Sequence, residues 1–200
     1  MPYRRHFARA STRTRLVFVK AVLAAFLFVT ACGDGRPLLN SERIEQKFGS
    51  YGVDIIASDR TRRLSSLYSL TDGERVCRTY ATVRFMQPID RLLATEHARV
   101  VSGQSIGTVF KSAGWTITKR HSWFGETALT GSDTDILRRM QIELPQKLAT
   151  HRYVFRVEKS GRGFDYAVIT EMHHPAYLTL RELRSIYGNE SVAARIVNAR

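Results

Sequence analysis

Most of the signatures that announce a chemistry are missing from these 200 residues. Neither a Gly-rich phosphate loop nor a dinucleotide fingerprint can be written onto the chain. No two carboxylates are placed together by spacing alone, as glycoside hydrolysis requires. The serines form no nucleophile elbow, because Gly103-Gln-Ser-Ile-Gly107 follows a helical pattern rather than a strand. There is no internal repeat, no low-complexity tract and no sign of a second folded domain. Cysteine is scarce, with only Cys32 and Cys77 present, so a disulfide-stapled scaffold is excluded. A body of about 160 residues needs none, since a domain of that size buries roughly 70% of its extended-chain surface.

Acidic residues are absent from the first 32 positions, which carry Arg4, Arg5, Arg9, Arg13, Arg15 and Lys20. The formal charge of +13 therefore divides into +6 for this stretch and +7 for the remainder. The densest later cluster, Arg60, Arg62 and Arg63, has no interleaved aromatics of the kind that stack single-stranded bases. Nucleic acid is accordingly not an expected partner. An anionic lipid or envelope polymer is compatible with the positive body.

The basic start is followed by an apolar stretch whose uncharged part, Ala21 to Ala31, has eleven residues. That is too short for a bilayer core, which takes about 20, but it matches the middle region of an export signal. Val29-Thr30-Ala31-Cys32 resembles the lipobox of bacterial lipoproteins, in which an apolar residue and two small ones precede the cysteine. The resemblance implies lipidation of Cys32, cleavage before it, and a tether over residues 32–39. Two or more acyl chains anchor stably, at about 0.8 kcal/mol per buried methylene. Gly33 stands where an aspartate would imply retention in the inner membrane, so the same resemblance implies the outer membrane, facing the periplasm. Arg4-Arg5-His6-Phe7 also resembles the core of a twin-arginine signal, although Ala8 departs from that pattern. The body as a whole is similar to small lipoproteins of Gram-negative bacteria, which implies an address without an activity.

From residue 40 the hydrophobic periods alternate. A short helix runs from Asn40 or Ser41 to Gly49. Strands are expected at 51–57, 62–70 and 75–86, with an Asp72-Gly73 hairpin. In the third strand Cys77, Thr79, Ala81, Val83 and Phe85 alternate with polar residues, implying one covered face. Helices follow around Ile89–Val101 and Ile106–Ala113. A strand at 115–124 places Trp115, Ile117, Lys119, His121 and Trp123 on one side. Another helix carries Ile136, Leu137 and Met140. A second hairpin joins 148–159 to 163–172, and Thr179 with Glu182 makes a capping box for a helix ending at Gly188. The fold class is α+β: a mainly antiparallel sheet of about six strands with helices packed on one face. The organisation is a signal at 1–31, a lipidated tether at 32–39, a single domain at 40–188, and a tail at 189–200 that is helical or disordered.

Within that body the sequence assigns no catalytic residue, cofactor or metal. Cys77 reads as a small buried hydrophobe. His97 lies on an apolar helix stripe and reads as a satisfied core histidine. Trp115, Trp123 and Phe124 sit at strand spacing, where aromatics belong to a core more often than to a binding platform. Glu171, His173 and His174 are the residues a metal site would use. Adjacent strand residues face opposite sides, so Glu171 and His173 share a face and His174 does not. A catalytic zinc takes three protein ligands, and His121, His151 or His97 could complete a set only through the tertiary fold.

The expected function is a lipid-anchored envelope protein that binds or scaffolds another envelope component without catalysis. The alternatives are a binder of an anionic envelope ligand and a metal-dependent enzyme using the His173/His174 region. The anchor has a direct test: cells fed a labelled fatty acid should label the wild-type chain and not Cys32→Ala, and an unlabelled wild type removes the anchor.

Overall fold

The computed structural model describes residues 38–197, so the signal, Cys32 and the last three residues lie outside the described part. A helix, α1 (Asn40–Phe48), leads into three antiparallel strands, β1 (Gly52–Ser58), β2 (Arg62–Thr71) and β3 (Glu74–Phe85). After a 3-10 turn come α2 (Ala94–Val101) and α3 (Ile106–Ser112), then β4 (Thr116–Ala128) and α4 (Thr134–Met140). The chain closes with β5 (Lys147–Lys159), β6 (Arg162–His173) and α5 (Leu180–Val197). The sheet order is β1-β2-β3-β6-β5-β4, with every neighbouring pair antiparallel. This is an α+β fold built on one six-stranded antiparallel sheet.

Local sequence explains the hairpins. Asp72 and Gly73 both have positive φ (51° and 83°), as do Ser160 and Gly161 (51° and 73°). Two left-handed residues in succession make the turn whose twist matches paired strands, and a glycine in second place adopts that φ without steric cost. The start of α5 is closed reciprocally: Thr179 N–H donates to Glu182 Oε2 at 2.7 Å, and Glu182 N–H donates to Thr179 Oγ1 at 3.3 Å.

One face of the sheet carries the main core, where Val83, Phe85, Phe155 and Ile169 meet Val100 of α2 and Val109 and Phe110 of α3. On the same face α1 packs over β2 and α5 over β4 and β5, meeting through Ile44, Tyr177, Leu183 and Tyr187. Helix α4 lies against the other face, closing Cys77, Tyr80 and Leu148 under Met140. Beyond α4, that second face is open.

Register shifts in β1, β3, β4 and β6 interrupt simple alternation, and two of them move residues read from the sequence. Leu67 pairs with Thr79 and Tyr68 with Cys77, so Arg78 is an extra residue in β3. This bulge turns Cys77 away from Thr79 and into the α4 cluster. A second bulge, at Ser122, separates the pairs His121–Tyr153 and Trp123–Arg152. Trp123 consequently leaves the His121 side and stands 44% exposed on the open face, while Phe124 stacks on His121 at 5.0 Å. Helix α5 also continues through Gly188 to Val197, because a glycine costs a helix interior only about 1 kcal/mol and does not force a stop. Among the described residues no helix is long and apolar enough to cross a membrane.

Phe110 is fully buried, with ring centroids at 4.7 Å from Tyr166 and 5.9 Å from Trp115. Phe110→Ala should cost about 3–5 kcal/mol of unfolding free energy, read from the midpoint of a urea titration.

Candidate functional site

Strand alternation and register bring the polar residues of the helix-covered face together. In β6, Glu171 and His173 point the same way, and the pairing with β5 sets His151 directly opposite Glu171. On the other side, β3 sets Thr79 opposite His173 and Ala81 opposite Glu171. The first turn of α1 lies over this point and lowers Asn40 onto the sheet. His151, Glu171 and His173 are 0%, 4% and 1% exposed. Each offers one ligand atom, and the three atoms lie within 4.8 Å of one another.

A chain of hydrogen bonds holds the group. His151 Nε2 is 2.8 Å from Glu171 Oε2. Asn40 Nδ2 donates to Glu171 Oε1 at 3.1 Å and to Thr79 Oγ1 at 3.2 Å. Thr79 Oγ1 is 3.0 Å from His173 Nδ1, and the Tyr177 hydroxyl donates to Asn40 Oδ1 at 2.6 Å. Two ring nitrogens are left over: His151 Nδ1 and His173 Nε2 are buried without a hydrogen-bond partner among the described residues. A buried polar atom without a partner costs about 1–3 kcal/mol, so two such nitrogens in one cluster are a cost that packing alone does not explain.

The electrostatics centre on Glu171. Burial alone would raise its pKa, but the Lys119 ammonium and the His151 hydrogen bond hold it well below the usual carboxylate range. Lys119 in turn is raised despite its burial, by Tyr187 and Glu171. Burial pushes His173 down to about 3, with His151 adding to the effect. His121, whose ring centroid is 5.1 Å from that of His151, is also pushed down to about 3 by burial. His151 is lowered by burial against the pull of Glu171. The group at neutral pH is thus one carboxylate beside neutral imidazoles, the protonation state in which these side chains bind metal ions. A cavity of about 60 Å³ reaches Glu171, Lys119, Tyr153 and Asn40, room for a few water molecules.

The remaining sequence candidates fall elsewhere. His174 faces away and its Nδ1 accepts the Ala176 N–H at 3.0 Å. His97 Nδ1 is 2.9 Å from the Tyr166 hydroxyl, and its ring meets the edge of Phe85. Cys77 is buried, with its thiol pushed up to about 11 by burial. Trp115 is in the main core and Trp123 on the open face, so they form no shared platform. Glu171 and His173 are brought together with His151, one of the three histidines open to completing the set. Asn40 and Thr79 carry no signal of their own in sequence, since the contacts that give them roles span 131 and 94 residues.

Known families and curated proteins offer no parallel. The chain matches none of them. What the cluster does must therefore be argued from its own atoms.

Its protonation makes one consequence measurable. Unfolded histidines take up a proton near pH 6.5, while folded His121 and His173 resist until about 3. Between those limits the unfolded chain binds more protons, so stability falls as pH falls. Glu171, also depressed, adds a loss of the same sign below its ordinary range. Metal-depleted protein should be progressively less stable in urea from about pH 7 to about pH 5, with a shallower dependence for His173→Gln. A pH-independent midpoint would contradict the assigned protonation.

Proposed function

We propose that this chain is a lipid-anchored domain of a bacterial cell envelope that binds a first-row divalent metal ion, zinc foremost, through His151, Glu171 and His173. The observation that carries this reading is the set of three buried donors within 4.8 Å, with a ring nitrogen of each histidine otherwise unpartnered. Two imidazoles and a carboxylate suit zinc and its neighbours in the first transition row. The ionised Glu171 can only accept, so His151 Nε2–H donates the 2.8 Å hydrogen bond and Nδ1 is left as the lone-pair nitrogen of that ring. Closing all three donors onto one ion takes side-chain movements on the order of 1 Å. The Thr79 contact to His173 Nδ1 supports the assignment, because a metal-binding imidazole usually gives its second N–H to an oxygen. Three protein donors leave coordination positions for water or an anionic ligand. Cys32 and the lipobox support the membrane setting, and the signal accounts for the leading share of positive charge.

The hydrogen bonds from Asn40 favour a second reading, in which the cluster only pins α1 to the sheet. Lys119 bears on both readings, since its ammonium neutralises Glu171 when no metal is bound and competes with a cation for the carboxylate. Cobalt(II) titration of the full chain separates the two. Metal binding predicts a saturable visible absorption at one equivalent, displaced by zinc and lost in His151→Ala and His173→Ala. Asn40→Ala, which removes a partner of Glu171 and no donor, should weaken affinity by about 10- to 100-fold. Absence of a cobalt spectrum, with unchanged melting in zinc, leaves only the structural reading.

A further inference from the structure

The face of the sheet opposite the metal cluster is uncovered beyond α4, and its composition is not that of an ordinary solvated surface. In-register pairing lays out one straight cross-strand row of Arg62, Arg84, Val168, Val154 and Arg120. The next row on the same face is Leu64, Thr82, Thr170, Arg152 and Trp123. A third brings Arg156 beside Asp165. At about 4.8 Å between strands, a five-strand row spans roughly 19 Å. Five arginines thus ring a centre of two valines and two threonines.

The acids of this face are few and occupied. Asp165 binds both Arg120 and Arg156. Asp59, at the rim, accepts the backbone N–H groups of Thr61 and Arg62. Glu158 lies at the far end of the sheet, opposite Thr116. Arg62 and Arg84 are direct cross-strand partners, both exposed; Asp59 feels the charge of Arg62 but spends its carboxylate on the Thr61 side chain and on the backbone N–H groups of Thr61 and Arg62. Like charges set directly opposite on a sheet are destabilising. An external anion between them removes that cost and gains charge-assisted hydrogen bonds from two planar forks.

Trp123 supplies the second, independent observation. Beside it on the same strand face is Gly125, where an added Cβ would lie 2.3 Å from the indole. The ring therefore rests over a position that only glycine leaves free, and it does so while 44% exposed. An ordered, exposed indole beside Arg152 is suited to a boundary between water and an apolar phase.

We propose that this open face docks on an anionic bilayer surface, with the arginines on lipid phosphates and Trp123 at the headgroup boundary. The flat, two-dimensional spread of charge fits a plane of phosphates. A single strand of nucleic acid would want a series of stacking aromatics along a groove, and this face has one aromatic at its edge. A second copy of the same face is disfavoured by the repulsion of its own arginines. The proposal rests on the face alone and does not depend on metal binding.

The test uses the mature chain from residue 32 carrying Cys32→Ser, so that neither the basic apolar signal nor an acyl chain contributes, and vesicles of phosphatidylcholine with or without one quarter phosphatidylglycerol. Anionic vesicles should shift tryptophan emission to the blue, and the shift should disappear in Trp123→Phe. Arg62→Gln/Arg84→Gln should lower partitioning by about 30-fold while its melting temperature holds or rises, which separates lost binding from lost folding. Added salt should release the protein. Equal partitioning onto neutral and anionic vesicles would overturn the proposal, as would a double variant that binds like wild type. A single-stranded oligonucleotide or an acidic protein that engages Trp123 when anionic vesicles do not would also overturn it, by giving the face to another partner.

Discussion

A carboxylate taken out of water in the middle of a sheet must be compensated by groups within its immediate reach, and Glu171 draws that compensation from three separate elements. Lys119 comes from β4, His151 from β5 and Asn40 from the first turn of α1. Tyr177, just before α5, is then held by Asn40. The position of α1 over the sheet and the approach of Tyr177 are tied to keeping that one charge ionised, while burial keeps the surrounding histidines neutral against its pull. Replacing the group with hydrophobic side chains would pack as well, because buried charges seldom add net stability. A polar cluster of this kind needs a reason beyond packing, and the proposed ligation of a cation supplies one.

The fold was largely legible because its local rules are obeyed. Asp72-Gly73 and Ser160-Gly161 are turn pairs whose φ values could be anticipated from residue type alone. The Thr179–Glu182 cap was readable in the same way. What sequence could not reveal were single-residue insertions into strands. Nothing about Arg78 or Ser122 as residues says that either is a bulge, yet each reverses the facing of its neighbours, moving Cys77 and Trp123 to the other side. The site was half legible for a related reason. Glu171 and His173 share a face by period, whereas His151 joins them only through the β5–β6 register, and Asn40 only by the docking of a helix from the opposite end of the chain.

The two faces divide the charge of the molecule. On the covered side, burial drives the histidines to neutrality and leaves one carboxylate balanced by an ammonium. On the open side, arginines that never lose their charge lie on four strands, β2, β3, β4 and β5, in rows that cross β6 at Val168 and Thr170. Across the physiological pH range neither face changes its charge: the folded His121 and His173 stay neutral down to about pH 3 and the arginines stay cationic.

The strand order also fixes when the site can exist. β3 waits beside an empty edge until β6 arrives, and Thr79 meets His173 across 94 residues of chain. Pairings of such long sequence separation form late, since loop-closure entropy must be met before they contribute. As the polypeptide emerges from its N-terminus onwards, the β3–β6 pairing at the centre of the sheet can close only once β6 has appeared. Any ion that binds the cluster meets only chains that have completed this step, and so acts as a latch on finished molecules rather than as a template for nascent ones.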